Sequence, residues 1–331
     1  MVSPPEIWQL IEALRWARFR LTYRALEKIV FPEYKGSTFR GPFGHAFRRL
    51  VCTRSEFPSC VKCPLNQVCP YAVVFESSPP PESPIMKDFS DSPRPFIIEP
   101  DLEPKTDFTP GESFFFDLLI FGKALDLFPY FVLAFRDLTS EGIGKTRGKA
   151  LLEKVELIQN GVAETIYLEK EGLLRSNFEF QTGKSLQPKA ENLVSRKNFN
   201  LTLKFQTMTR LVYKGHLVDV PHFHIFFRNL IRRISALLFL YHGFHVRIDF
   251  ASLISEAERV NLIRNLAVWM EWSRYSRRQQ EKMYMGGLLG DACFDFEGVN
   301  FEIFLPFLAA GEVTHVGKGT VFGLGKYEIS P

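Results

Sequence analysis

Four of the five cysteines lie close together, Cys52, Cys60, Cys63 and Cys69, in the spacing C-x7-C-x2-C-x5-C. In a chain without secretory features such a cluster points to metal rather than to disulfides. Four thiolates are the complement of a structural Zn2+ or of an iron–sulfur cluster. Pro64 and Pro70 directly follow Cys63 and Cys69, as proline does in ferredoxin segments. Zinc, an iron–sulfur cluster and a metal-free segment all stay open. A closed four-sulfur site leaves no position for a water, so no catalysis is assigned to it. Cys293, between strand-like neighbours, reads as core.

The cluster follows "STFRGPFGHAFRRLVC". Pro42 suits a helix start, and Phe43, Phe47, Leu50 and Val51 then repeat at helical spacing along one face. His45, Arg48 and Arg49 share the opposite face at i, i+3 and i+4. An imidazole beside two guanidiniums could be a solvated helix face. It is also the equipment for cutting or holding phosphodiesters.

A third stretch is "GEVTHVGKGTVFGLGKYEI", with Gly311, Gly317, Gly319, Gly323 and Gly325. The P-loop pattern fails, because Val316 stands where its second glycine belongs. A dinucleotide-binding turn fails as well, because too few residues follow Gly325 to form its helix. Glycine in a strand marks a bulge, a bend or a close approach to the backbone. His315 and Lys318 stand where they could reach whatever the glycines receive. "WSRYSRRQ" interleaves Trp272 and Tyr275 with Arg274, Arg277 and Arg278. Aromatics among arginines suit RNA, whose unpaired bases stack and whose phosphates pair; helix packing with a solvated face would look the same.

The elements that must position these residues can be read next. The chain has 331 residues, 33 of them phenylalanine, and a formal net charge of +4. That length suits two domains, and the small charge means that affinity for a polyanion must come from local clustering. "RFRLTYRAL" alternates, with Phe19, Leu21, Tyr23 and Ala25 on one face and Arg18, Arg20, Thr22 and Arg24 on the other. It is a half-buried strand with a basic face, either solvated or offered to nucleic acid. Residues 77–110 are rich in Pro, Ser and acids and read as an extended connector. "LTLKFQTMTRLVY" is a strand. Pro221 opens a long helix whose core face carries Phe223, Phe227, Leu230, Ile234, Leu237 and Tyr241, and Gly243 caps it. His222, His224, His242 and His245 flank its two ends and suit capping or solvent roles. The chain ends in strands carrying the glycines. No apolar run spans a bilayer, and the N-terminus lacks a signal-peptide core, so a cytoplasmic protein is expected.

Strands with one main helix in each half are the ingredients of βαββαβ units. The expected fold is α+β, with two tandem ferredoxin-like (RRM-like) domains. Residues 1–160 would be the first, with a Cys-rich, Pro-rich insertion at about 52–110. Residues 161–195 would be a variable connector and 196–331 the second domain.

Together these segments resemble the CRISPR-associated family-six endoribonucleases of the RAMP superfamily, which process precursor CRISPR RNA. The glycine-rich end is the most specific match. "WSRYSRRQ" with Gly286–Gly287, "LTLKFQTMTRL", "EGIGKTRGKA" and "YKGSTFRGPFGHAFRRLVC" match one branch, although Met208 stands where proline is expected. The resemblance implies metal-independent cleavage of CRISPR repeat RNA. In it a 2′-hydroxyl attacks the adjacent phosphorus and leaves a 2′,3′-cyclic phosphate. It implies that His45 occupies the place of the family's first-helix histidine, with Tyr34 and Lys35 as catalytic companions and Arg48 and Arg49 on the RNA. It further implies that Gly317, Gly319, Gly323 and Gly325 form a backbone cradle for RNA, with Lys318, Lys326 and His315 adding contacts and Arg274 and Arg277 binding elsewhere. The expected partner is repeat RNA within the precursor transcript, and an effector complex is a further one. The alternative is a non-catalytic RAMP subunit that holds guide RNA.

Overall fold

The computed structural model describes residues 3–331 except 55, 58, 77–91, 140, 196–199 and 277–280. The chain divides into two compact units, residues 16–180, and residues 1–15 with 181–331. This division differs from limits at 160 and 196. The opening helix α1 (Pro4–Glu12) belongs with the C-terminal residues, and part of the expected connector is strand. The Glu6 carboxylate accepts both the Ser3 N–H and its hydroxyl at 2.8 Å, which starts α1.

The unit of residues 16–180 runs β1 (Arg15–Ala25), α2 (Gly36–Val51), α3 (Pro70–Phe75), β2 (Phe96–Pro100), β3 (Ser113–Phe121), α4 (Phe128–Leu138), β4 (Ala150–Gln159) and β5 (Val162–Leu168). The sheet order is β2-β3-β1-β4-β5, with every neighbour antiparallel. Without β5 this is strand–helix–strand–strand–helix–strand with the first and third strands central, the ferredoxin-like arrangement.

The buried face of β1 is the expected one, Phe19, Leu21, Tyr23 and Ala25. Its other face is not an open basic surface. Arg18 donates to Glu99 at 2.8 Å and to Asp117 at 3.3 Å, Arg20 pairs with Asp117 at 2.8 Å, and Arg24 pairs with Glu153. The acids come from β2, β3 and β4, and burial of Glu99 and Asp117 obliges them to keep these cations.

The core between sheet and helices is aromatic. Phe43 stacks on Phe135 with centroids 4.1 Å apart and planes 4° apart, and Phe39 meets Phe116 at 4.5 Å. Phe47 meets Phe75 and Phe131 at 5.6 and 5.4 Å. Helix α2 begins before Pro42, at Gly36, so Pro42 lies within it. There it withholds the N–H that would bond the Thr38 carbonyl.

The second unit adds α5 (Gln187–Ser195), β6 (Asn200–Thr209), α6 (Phe223–His242), β7 (Asn261–Asn265), β8 (Gly287–Asp295), α7 (Leu305–Thr314) and β9 (Tyr327–Ser330). Its order, β7-β8-β6-β9, repeats the ferredoxin-like arrangement. Helix α6 buries the six predicted core residues and ends at Gly243 with φ 66° and ψ 20°. Cys293, expected in the core, is half-buried on β8 instead. The residues 273–276 of "WSRYSRRQ" are a strand, Ser273–Ser276, paired with Glu281–Tyr284.

The glycine-rich end is mostly not strand. It comprises the second half of α7, a turn, a short 3-10 helix over Thr320–Phe322 and β9. What approaches the glycines is the chain itself. A Cβ on Gly317 would sit 2.4 Å from the Arg210 carbonyl oxygen, and one on Gly325 would sit 1.9 Å from that of Val316. Within α7, a Cβ on Gly311 would meet the Tyr327 hydroxyl at 2.0 Å, and that hydroxyl donates to the Leu308 carbonyl at 2.7 Å. The Lys318 N–H donates to Arg210 O at 3.0 Å, Val316 N–H to Gly325 O at 3.0 Å and Gly325 N–H to Met208 O at 3.2 Å. The Lys326 N–H donates to Thr207 Oγ1, which donates in turn to the Gly323 carbonyl, both at 2.9 Å. The loop clasps the end of β6 and delivers β9 to its edge.

Two outcomes follow. Gly325→Ala places a Cβ against a backbone carbonyl at φ +74°, and should cost roughly 2 kcal/mol or more in chemical unfolding. Gly41→Ala, in α2 with open space around its Cα, should instead stabilise by about 1 kcal/mol. His242 supplies the second. It is largely buried, its Nδ1 lies 3.0 Å from Leu237 O, and its Nε2 accepts the Arg15 N–H at 2.9 Å. Burial lowers its pKa, although the two backbone contacts work the other way. The folded chain therefore resists protonation that the unfolded chain accepts below its pKa of about 6.5, so stability is present above that value and is lost on acidification. Denaturant midpoints taken between about pH 7.5 and about pH 5.5 should fall, and His242→Gln should flatten that fall.

Candidate active site

Helix α2 is held by its aromatic face, and this decides what its other face can do. With Phe39, Phe43 and Phe47 fully buried, His45 is exposed, and Arg48 and Arg49 are exposed one turn further on. The grouping expected of these three residues is the one found. Cys52 beside it raises the Arg48 pKa, and the Arg48 guanidinium carbon lies 5.6 Å from the centre of the Tyr71 ring. Arg49 pairs with Glu141 at 2.6 Å, with both side chains more than half exposed. Such an exposed pair contributes little, so a phosphate can take the place of the carboxylate.

Tyr34 and Lys35 do not join them. Tyr34 is buried, and burial followed by the nearby Glu99 charge raises its hydroxyl pKa well above the ordinary value. Lys35 is 3% exposed and donates from Nζ to the carbonyls of Glu103 at 2.9 Å and Asp101 at 3.3 Å. It caps the N-terminus of α2, and at 1.5 Å per residue His45 lies about 15 Å further along the axis. Adjacency in sequence suggested a common site; the length of the helix separates them. Lys35 instead ties α2 to the segment after β2.

The residues expected to touch RNA through the glycine loop divide in the same way. Lys318 is exposed and Lys326 half-buried, Gly317 and Gly319 are half-buried, and Gly323 and Gly325 are buried. His315 is fully buried at φ 59°, with Nδ1 3.0 Å from the Leu324 carbonyl, so it is a structural residue here. The loop's glycines serve close packing, and seven of its N–H groups, those of residues 315, 316, 318, 322, 323, 325 and 326, are bonded within the chain. Arg277 and the side chain of Arg274 lie outside the described residues.

One residue was missed. Arg210, at the end of β6, donates from Nη1 to the Gly286 carbonyl at 2.7 Å while its own carbonyl accepts Lys318 N–H. It joins the glycine loop to Gly286–Gly287. A cation inside the predicted strand Leu201–Tyr213 was the available signal, but only the fold shows the loop returning to it.

Cys52, Cys60, Cys63 and Cys69 line a common cavity with Arg48, Asn66 and Tyr71. All four are free and half-buried, and burial raises the Cys60 thiol pKa. Among the described residues no three or more His, Cys, Asp or Glu side chains stand as a ready metal cluster. Nor is any described helix long and apolar enough to cross a membrane.

Comparison with known proteins agrees with this picture of the fold. A family model described as the CRISPR-associated endoribonuclease Cas6 matches residues 203–327, and a model described as an N-terminal domain matches residues 14–179. No curated protein matches the sequence significantly. Among solved structures, a Cas6 product complex aligns with a TM-score of 0.56 at 15% identity, covering 96% of this chain and 99% of that one. The Cas6 of Thermus thermophilus aligns with a TM-score of 0.53 at 13% identity, covering 96% and 99%. A partial Cas6-RT-Cas1–Cas2 complex aligns with a TM-score of 0.56 at 12% identity, covering 96% of this chain and 46% of that one. These likenesses show the tandem ferredoxin-like fold, and residues 203–327 match the model of the Cas6 family of CRISPR-associated endoribonucleases.

Proposed function

We propose that this protein binds CRISPR repeat RNA in the precursor transcript and cuts it without a catalytic metal, using His45. The observation that carries the reading is the exposed face of α2. There an imidazole is grouped with two guanidiniums on a helix that aromatic packing prevents from rotating. In this reaction the upstream 2′-oxygen loses its proton and bonds to phosphorus. The bond from phosphorus to the 5′-oxygen breaks, and that oxygen takes up a proton. A 2′,3′-cyclic phosphate and a 5′-hydroxyl result. His45 moves a proton in this exchange, and Arg48 and Arg49 face the charge that develops on the phosphorane. Arg49 exchanges Glu141 for the phosphate as RNA binds. Tyr34 and Lys35 support the helix rather than the chemistry. The four-cysteine segment is read as a structural metal holder with no step of the reaction passing through it. Lys318 and Lys326 supply charge on the other unit, and an effector complex would receive the finished guide.

His45→Ala should slow single-turnover cleavage of the repeat from the protein's own locus by about 10²–10⁴-fold, the usual scale of general acid–base catalysis. Repeat binding should persist, because the phosphates are held by other residues. Tyr34→Phe should leave the cleavage rate essentially unchanged. A His45→Ala variant that cuts at the wild-type rate refutes the assignment. A wild-type protein that binds the repeat tightly and never cuts it is the non-catalytic subunit instead.

A further inference from the structure

The segment after α2 has no hydrophobic core of its own. From Cys52 to Tyr71 no described residue is buried, and Val61 and Val68 stand 68% and 75% exposed. Its backbone is nevertheless folded into successive turns. Cys63 N–H donates to Cys60 O at 3.1 Å, Asn66 N–H to Cys63 O at 3.0 Å and Cys69 N–H to Leu65 O at 2.8 Å. Short turns without buried apolar surface do not offset the entropy of ordering them. The four cysteines come from both its ends and its middle and line one cavity, together with Phe57, Leu65 and Asn66 of the same segment.

We propose that Cys52, Cys60, Cys63 and Cys69 bind a single zinc ion as four thiolates, and that this ion takes the place of a core for residues 52–71. The inference deepens the structural reading of the cysteine segment given above and is independent of the cleavage chemistry. The sulfurs line the cavity without already standing as a ready cluster, so binding draws them inward. Each thiol gives its proton to solvent as its sulfur bonds to the metal. Four thiolates around a divalent ion carry a net charge of −2. Arg48, which lines the same cavity, offsets part of that charge, as outer groups do around metal ligands. Cys52 is also the C-cap of α2, so the ion sits at the end of the helix that carries His45. Cys293 lies on β8 of the other unit and takes no part.

The test uses the full chain as purified. Elemental analysis should find about one zinc per chain and no iron, the stoichiometry of a closed four-sulfur site. Exchange into cobalt(II) should give the intense visible bands of a tetrahedral site with thiolate charge transfer in the near ultraviolet. The pair Cys60→Ser with Cys63→Ser should abolish both signals and open residues 52–71 to limited proteolysis, while Cys293→Ser keeps them. If the double variant fails to fold, the wild-type cobalt spectrum still decides. A brown protein with iron overturns the single ion while leaving a structural metal in place. A folded, metal-free wild type with four titratable thiols overturns both. Neither result alters whether the wild type cuts repeat RNA.

Discussion

The phenylalanine face of α2 is the constraint on which the candidate site depends. Phe43 lies flat on Phe135 at 4.1 Å, and Phe39 and Phe47 are gripped by rings from β3, α3 and α4. Burying rings of this size supplies most of the stabilisation in such a core and adds a directional preference through their quadrupoles. A helix held in this way cannot rotate to hide a polar face. His45, Arg48 and Arg49 are exposed because the residues behind them have no alternative. Lys35 at the start of the helix and Cys52 at its end fix the two ends by different means, one with backbone carbonyls and the other beside the cysteine cavity.

Charge is distributed in a way that composition does not reveal. On the sheet of residues 16–180 the arginines of β1 are neutralised by Glu99, Asp117 and Glu153. On the other sheet the outward side chains of β6 are Asn200, Thr202, Lys204 and Gln206, with no aromatic among them, and Gln206 is bonded to Glu328 at 3.1 Å. On the first sheet Phe115 lies half-buried beside Thr22, with the Arg20 guanidinium carbon 4.3 Å from its ring centre. Exposed cations that a polyanion could engage cheaply include those on α2, Lys204 on β6 and Lys318 of the glycine loop.

Much of the fold was legible because the patterns were long. The alternation in β1 and the helical period in α6 each extend over enough residues for one face to be unmistakable. The rotation of α2 was legible at Phe43 and Phe47, and with it the exposure of His45, although Leu50, expected on the same face, is 39% exposed and Val51 half-buried. Failures arose where a residue's role is set by something distant in the chain. Nothing near Gly317 or Gly325 announces that Arg210 and Val316 will press on them. Nothing beside Arg18 and Arg20 announces Glu99 and Asp117, some 80–100 residues away. Tyr34 and Lys35 looked catalytic by proximity in sequence, a measure that helix rise overrides. His315 was placed beside the loop correctly, but its burial follows from a left-handed backbone turn that sequence does not encode for a non-glycine residue.

The central claim is that this chain cleaves RNA through the substrate's own 2′-oxygen, with no metal ion in the reaction. Its most direct test is the wild-type protein on synthetic repeat RNA in excess chelator, with end-group analysis of the products and a parallel substrate carrying one 2′-deoxy sugar just upstream of the cut. The rate should be unchanged in chelator, the upstream fragment should end in a 2′,3′-cyclic phosphate and the deoxy substrate should not be cleaved. Cleavage of the deoxy substrate, or a rate that collapses with chelator and returns with added magnesium, would contradict it.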